Sequence, residues 1–357
     1  MSGTESQVIA LAKGLREKNY DVTICCLGGK GDFSDAANAS DIKCIVINRL
    51  IKFDIIRLLK YIKLIYKYKF SIVMSFNYLA NNLTRITKIM LPHANFIHFA
   101  GERGRKFSNK ILINYFDSKL SKFSDKIITN SNVQKEKLSN YENIAINKIK
   151  TIYNGFDFRI VNNIKEINLN EKFSVPIKNK IICSVGNLTK PKNIPMFLEV
   201  AKKVIAKKSN VSFLYVGGSS NYKVKKYQAL VKTKSLENRI FFVGKQDNVL
   251  QILKSCDIFV LTSTQEGMPN VLIESMAIKI PIVSTNVDGI SEVIIDGENG
   301  LTVDSNDSDS MVKKILCLLS DNKKCAKLSN GGFKIAKNKF DLQKMIKSYE
   351  DLFSTYL

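Results

Sequence analysis

Two glutamates separated by seven residues, Glu266 and Glu274, stand in the stretch STQEGMPNVLIESMAIKIPIVSTNVDGISEVI, residues 263–294. The apolar run before it ends near Leu261 to Ser263 and reads as a strand. Glu266 and Gly267 then supply a turn. Pro269 suits the first turn of a helix, where a missing N–H is no loss, and the amides of Asn270 and Val271 would open that helix. A helix N-terminus at the C-terminal end of a parallel strand favours anionic oxygen through its amides and its dipole. One turn further on, Glu274 is placed to accept two hydrogen bonds from a diol such as a ribose offers, and Glu266 at the mouth to hold a sugar hydroxyl. The plainer reading makes Glu274 a solvated helix residue. Its neighbours Val271, Leu272, Ile273, Met276 and Ala277 weigh against that, because a carboxylate without a partner is costly among them.

Such a loop needs a sheet behind it. Short apolar runs alternate with longer periodic segments along the chain: 22–28, 41–48, 70–76, 95–100 and 126–131 read as strands, then 180–187, 211–218, 239–245, 256–263, 280–285 and 299–303. This alternation indicates βαβ units and parallel sheets covered on both faces. The polar, Asn-rich stretch between the two groups breaks the rhythm. The expectation is an α/β protein with two doubly wound domains: an N-terminal domain over 1–158, a linker over 159–179, a C-terminal domain over 180–340, and an amphipathic helix over 341–357 packing back toward the first domain.

Composition narrows the class. The 357 residues are 45% hydrophobic, enough for two cores, and no apolar run reaches the ~18 residues of a membrane-spanning helix. Seven cysteines, scattered and without C-x-x-C spacing, point to reduced thiols in a cytoplasm. The net charge of +23 is spread over both halves, with 27 basic and 14 acidic residues in 1–170 against 28 and 18 in 171–357. It admits an anionic partner, but scattered lysines without a groove-reading motif weigh against nucleic acid. Helix 54–67 leaves two readings open: a helix on a sheet with a solvated basic face, or Lys52, Lys60, Lys63 and Lys67 facing anionic lipid at the inner face of a membrane. Asp307-Ser308-Asp309 has the D-x-D form of a metal site, yet lies where Asp normally caps a helix, so no metal is expected.

The E-x7-E pattern inside S-x-x-E-G-x-P-x-x-L-x-E-x-M-A resembles retaining nucleotide-sugar glycosyltransferases of the GT-B fold, family 4 or "group 1". SVGNLTKPKN (184–193), FVGKQDNVLQILKSCDIFVLTS, DGISEVIIDGENGLTV and KIKTIYNGFD (148–157) are similar to further motifs of that family, in its order. The resemblance implies two Rossmann-like domains facing across a cleft, and transfer of a hexosyl group from a nucleotide-sugar, UDP-linked, to a glycan or lipid-linked acceptor, without a metal or other cofactor. It implies roles residue by residue. Glu274 would bind the donor ribose and Glu266 the transferred sugar, with amides of Gly267, Met268, Pro269's neighbour Asn270 and Val271 on the pyrophosphate and sugar. Lys192 would neutralise the leaving diphosphate, where positive charge is a large catalytic term. Gly186 and Asn187 would line the donor loop, and Lys245 would frame the base. The family usually has Arg at the place of Asn187, so one phosphate cation is absent unless Lys190 substitutes.

The N-terminal half departs more from the family. His98 would be the histidine that meets the reacting sugar, or else a packed strand-end histidine. Glu102 and Arg103 would meet acceptor or phosphate. Ser2-Gly3-Thr4-Glu5 matches a loop that in the family follows a first strand and lines the cleft, with Gly3 and Thr4 as its contacts. No residues for that strand precede it here, so the expectation is a chain short by its first strand, with an upstream start or a decaying, inactive gene as causes. Competing readings are a GT-B epimerase and a basic nucleic-acid-binding protein. A dehydrogenase is disfavoured, since no strand ends in G-x-G-x-x-G.

Overall fold

The computed structural model describes residues 3–29, 31–48, 55–103, 117–218, 220–233 and 235–357. Ser2 and Lys52 lie outside them. The chain divides into two compact units: residues 1–155 together with 342–357, and residues 156–341.

The first unit carries, in chain order, α1 (Gly3–Glu17), β1 (Thr23–Cys26), α2 (Asp32–Asn38), β2 (Lys43–Val46), α3 (Ile55–Tyr68), β3 (Ile72–Phe76), α4 (Tyr78–Met90), β4 (Ile97–Glu102), β5 (Lys126–Thr129), α5 (Asn132–Glu142) and β6 (Ile149–Thr151). Every strand pairing is parallel, as buried apolar runs joined by helices require. The strands form two ladders, β1-β2 and β3-β4-β5-β6. Among the described residues no strand pairing joins the two ladders.

The second unit continues with α6 (Leu169–Phe173), β7 (Lys180–Val185), α7 (Ile194–Lys207), β8 (Val211–Val216), α8 (Asn221–Lys232), β9 (Ile240–Phe242), α9 (Val249–Lys254), β10 (Ile258–Leu261), α10 (Asn270–Ala277), β11 (Ile282–Thr285), β12 (Leu301–Val303), α11 (Ser308–Ser320) and α12 (Asn322–Lys339). Its six parallel strands run β12-β11-β10-β7-β8-β9. The unit's first strand, β7, thus lies centrally beside its fourth, β10, and the winding reverses between them. In such sheets ligands bind outside the carboxyl ends of the strands at that reversal. β8 and β10 are buried at every position, and α7 buries Ile194, Phe197, Val200, Ala201 and Val204 at helical spacing.

One stretch differs from the sequence reading, and the last helix lies where it was expected. Residues 159–179 are not a free linker. Ile164, Leu169 and Val175 are buried, Ile167 N–H donates to Ser255 Oγ (2.8 Å), and Lys254 Nζ donates to the Ile164 carbonyl (2.8 Å). Three apolar anchors spaced through an Asn-rich stretch leave no period to read. The last helix, α13 (Leu342–Phe353), packs within the first unit, where Leu342, Met345, Ile346, Tyr349 and Phe353 join Leu11, Leu15 and Phe99 in one core.

Candidate active site

A polar cluster of the second unit lies at the winding reversal. The loop after β7 starts at Gly186 and turns through a 3-10 stretch, Lys190–Lys192, into α7. Thr262, just past β10, fastens it: its hydroxyl donates to the Lys192 carbonyl (3.0 Å), and Thr264 N–H donates to the Pro191 carbonyl (2.7 Å). Lys192 Nζ is thereby brought to Glu266 Oε1 at 2.5 Å, with side chains 19% and 13% exposed. Gly186 makes room for the lysine stem, since a Cβ there would stand 2.9 Å from Lys192 Cε. Gly217, at φ 114°, passes so close that a Cβ would meet the Gly186 carbonyl oxygen at 2.4 Å.

Glu266 is held from three sides. Ser263 Oγ donates to the same Oε1 (2.7 Å), the Glu266 N–H donates to Asp288 Oδ2 (3.1 Å), and the Glu266 carbonyl accepts from Gly289 N–H (3.3 Å). Asp288 sits at φ 45°, a left-handed conformation that a non-glycine residue keeps only when its surroundings fix it. Oε2 of Glu266 takes no hydrogen bond among the described residues. The buried Tyr215 hydroxyl, from β8, has its pKa raised first by burial and then by the Glu266 charge.

The chain then enters α10. Its cap is Pro269, not a helical residue, and no side chain caps the first turn. Met268 and Val271 are buried, while Gly267 and Asn270 are half-buried. Glu274 follows one turn on, amid buried Val271, Leu272, Ile273, Ser275 and Met276. Burial pushes its carboxyl up to about 7. No hydrogen bond or ion pair reaches that carboxyl among the described residues. Asn187 and Lys245 lie exposed on the same edge, in the loops after β7 and β9.

Two family models fit the chain in series. "Glycosyltransferase Family 4" matches residues 1–159 and "Glycosyl transferases group 1" matches residues 166–335. The chain is a family 4 glycosyltransferase of the GT-B class. The transferase is 26% identical over 372 aligned residues to the capsular polysaccharide biosynthesis glycosyltransferase CapM of Staphylococcus aureus, covering 99% of this chain and 96% of that protein. It is 25% identical to the UDP-Gal:alpha-D-GlcNAc-diphosphoundecaprenol alpha-1,3-galactosyltransferase of Escherichia coli, covering 94% of this chain and 91% of that enzyme. Its fold superposes on Anabaena HepE, solved in complex with UDP-glucose, with a TM-score of 0.86 at 20% identity, over 99% of this chain and 96% of that one.

The first unit of the transferase places its expected site residues differently. Gly3 and Thr4 belong to the opening turn of α1, not to a loop, because the helical hydrogen bonding extends back to Gly3. His98 is fully buried on β4. Its Nε2 meets Ser75 Oγ at 2.8 Å, and that hydroxyl donates to Asn81 Oδ1 (2.7 Å). Burial, with the Arg85 and Lys88 charges behind it, lowers the imidazole to about 3. The ring is thus enclosed by the fold in this structure, on β4 beside Ser75. The same chain of bonds continues from Asn81 Nδ2 to Glu102 Oε1 (2.7 Å), holding the 3%-exposed Glu102 at the end of β4. Arg103 is engaged within the unit: its guanidinium donates to Asn154 Oδ1 (2.9 Å) and Tyr349 OH (3.1 Å) and covers the Phe76 ring.

Ser263, Tyr215 and Asp288 are site residues that the sequence reading passed over. Ser263 opens the quoted motif and could have been found there. Asp288, in the 3-10 turn after β11, lies within the same quoted stretch, whereas Tyr215 comes from β8 and only the sheet order brings it near Glu266. Asp307 and Asp309, the D-x-D pair, are engaged in structure: Asp307 caps α11 through Ser310 N–H (2.9 Å), and Asp309 pairs with Lys203 (2.8 Å).

Proposed function

We propose that this glycosyltransferase moves a hexosyl group from a UDP-linked donor, with retention at the anomeric carbon, to a glycan or lipid-linked acceptor in surface polysaccharide or glycolipid synthesis. The observation that carries the reading is one edge of the second unit: the half-buried Lys192–Glu266 pair beside the uncapped start of α10, with the partnerless Glu274 a turn further on. Glu274 would take the ribose diol. Amides at the start of α10 would take diphosphate oxygens. Glu266 Oε2 is the acceptor left for a hydroxyl of the transferred sugar. The bond from the anomeric carbon to the diphosphate oxygen breaks while the acceptor hydroxyl adds from the same face, and its proton passes to the departing phosphate oxygen. Lys192 supplies positive charge where the diphosphate charge grows, so the reading calls for no metal.

The UDP-glucose bound by HepE and the UDP-Gal in the Escherichia coli enzyme's name support a UDP donor, and that enzyme's diphosphoundecaprenol acceptor supports a lipid-linked one. CapM's name supports a capsular product. We place the work on the cytoplasmic side, in keeping with seven free thiols. The test is a panel of nucleotide sugars assayed for hydrolysis and transfer, with and without EDTA, and NMR of the product's anomeric proton. UDP-sugar turnover that is unaffected by EDTA and gives an axial linkage from an axial donor is expected. An inverted product or strict metal dependence overturns the mechanism. Tight donor binding without turnover identifies an inactive homologue.

A further inference from the structure

The helix that the sequence left with two readings shows an unusual outer face. On α3, Arg57, Tyr61 and Ile65 point inward, the last two into a core with Ile47, Val73, Leu83 and Phe96. The opposite face presents Ile55 (70% exposed), Ile56 (50%), Leu59 (54%) and Tyr66 (70%). At 100° per residue, Ile55, Tyr66 and Leu59 fall in a strip about 40° wide, and Lys63, Lys67 and Lys60 fall in the next strip about 60° wide. All three lysines are exposed. Ile56 lies among them. Solvated helix faces do not normally expose four large apolar side chains over three turns, so packing within the unit leaves this face unexplained.

We propose that the outer face of α3 docks on an anionic lipid bilayer. Both halves of the face fit that one occupant. An apolar strip bordered by lysines is how an interfacial helix lies in the plane of a membrane, its apolar side chains among the acyl boundary and its cations at the headgroups. Tyr66 is a residue that settles at the headgroup level. Ion pairs do not consume the lysines: Lys60 and Lys63 have none among the described residues, and Lys67 makes only a cation–π contact with Tyr68. The chain's net charge of +23 adds attraction at longer range. The inference accords with a lipid-linked acceptor but does not depend on it, since docking requires neither donor nor turnover.

The test is co-sedimentation of the full chain with phosphatidylcholine vesicles, with and without phosphatidylglycerol. Binding to the anionic vesicles is expected, falling with salt. Each lysine near the surface is worth roughly fivefold in partition, so Lys60→Gln, Lys63→Gln and Lys67→Gln together should weaken it on the order of a hundredfold. Ile55→Ser, Leu59→Ser and Tyr66→Ser together should remove the salt-resistant part, with the thermal midpoint unchanged. Replacing Lys225, Lys226 and Lys232 on α8 by Gln removes the same charge elsewhere and should cost far less. Equal loss from both lysine sets would overturn the proposal. So would equal binding to neutral vesicles, or no binding together with a dimer that Leu59→Glu splits, which would show a second copy on this face. Failure of vesicle binding with UDP-sugar turnover intact would reject the docking face and leave the transferase reading standing.

Discussion

The two units surround their ionisable groups differently. In the first, His98, Ser75, Asn81 and Glu102 form one hydrogen-bonded chain along β4, and the fully buried Arg85 is matched by Asp117 (2.8 Å) and Ser124 (2.9 Å). In the second, the half-buried Glu274 is desolvated with no partner among the described residues, and Glu266 keeps one oxygen unengaged among them beside Lys192. Polar groups that satisfy one another add rigidity to a fold, whereas a desolvated group left waiting is stabilised only when a ligand arrives. The contrast teaches that burial alone does not mark a site. His98 is fully buried and Glu274 half-buried, and partners separate them: His98 Nε2 meets Ser75, while no hydrogen bond reaches the Glu274 carboxyl among the described residues.

Substitutions can break this comparison. The largest effect is expected at Lys192. Lys192→Ala should lower kcat by about 10²–10³-fold, as loss of a preorganised charge at the departing group does, with far-UV circular dichroism unchanged. A variant within tenfold of the parent would move the catalytic charge elsewhere. Next comes Glu274→Gln, which should weaken UDP binding by roughly tenfold in calorimetry, a charged hydrogen-bonding group being worth ~1.5–3 kcal/mol. It should also raise the thermal midpoint at high pH. Between 4.5, the ordinary value, and about 7, the folded protein holds a proton that the unfolded chain has released. Stability therefore falls as pH rises through that window, and the variant lacks the slope.

His98→Gln should do the reverse. The folded imidazole stays neutral down to about 3, while the unfolded one gains its proton near 6.5. Parent stability therefore falls as pH drops from 6.5 toward 3, and the variant should lose that dependence. Near neutral pH it should lose ~1–3 kcal/mol of stability through a disturbed buried network, with kcat/KM kept within about threefold. A hundredfold loss of kcat/KM in a folded His98→Gln would restore this residue to the chemistry and erase the contrast. The smallest effect belongs to Arg103→Lys, which gives up the forked reach to Asn154 and Tyr349. A midpoint lower by a few degrees, with donor affinity unchanged, is expected.

Much of the second unit was legible beforehand. Each of its six strands was visible as a short apolar run, because a strand buried on both faces has few polar choices. Glu266, Glu274 and the α10 turn lie within one continuous stretch, so their spacing alone suggested a phosphate-and-diol site. The first unit was less legible. The register that turns His98 inward, and the engagement of Arg103 by Tyr349 from the far end of the chain, are long-range matters. So is the docking of Ile164, Leu169 and Val175, whose spacing follows the surface they meet and not a helix or strand period.

The sequence by itself determined the alternation of strand and helix, the parallel sheets that follow from it, and the local motif that holds Glu266 and Glu274, since all of these rest on residues near one another in the chain. Only the tertiary structure decided which charges are satisfied. Whether a desolvated carboxyl or imidazole has a partner depends on strands and helices remote in sequence, and that difference separates Glu274 from His98.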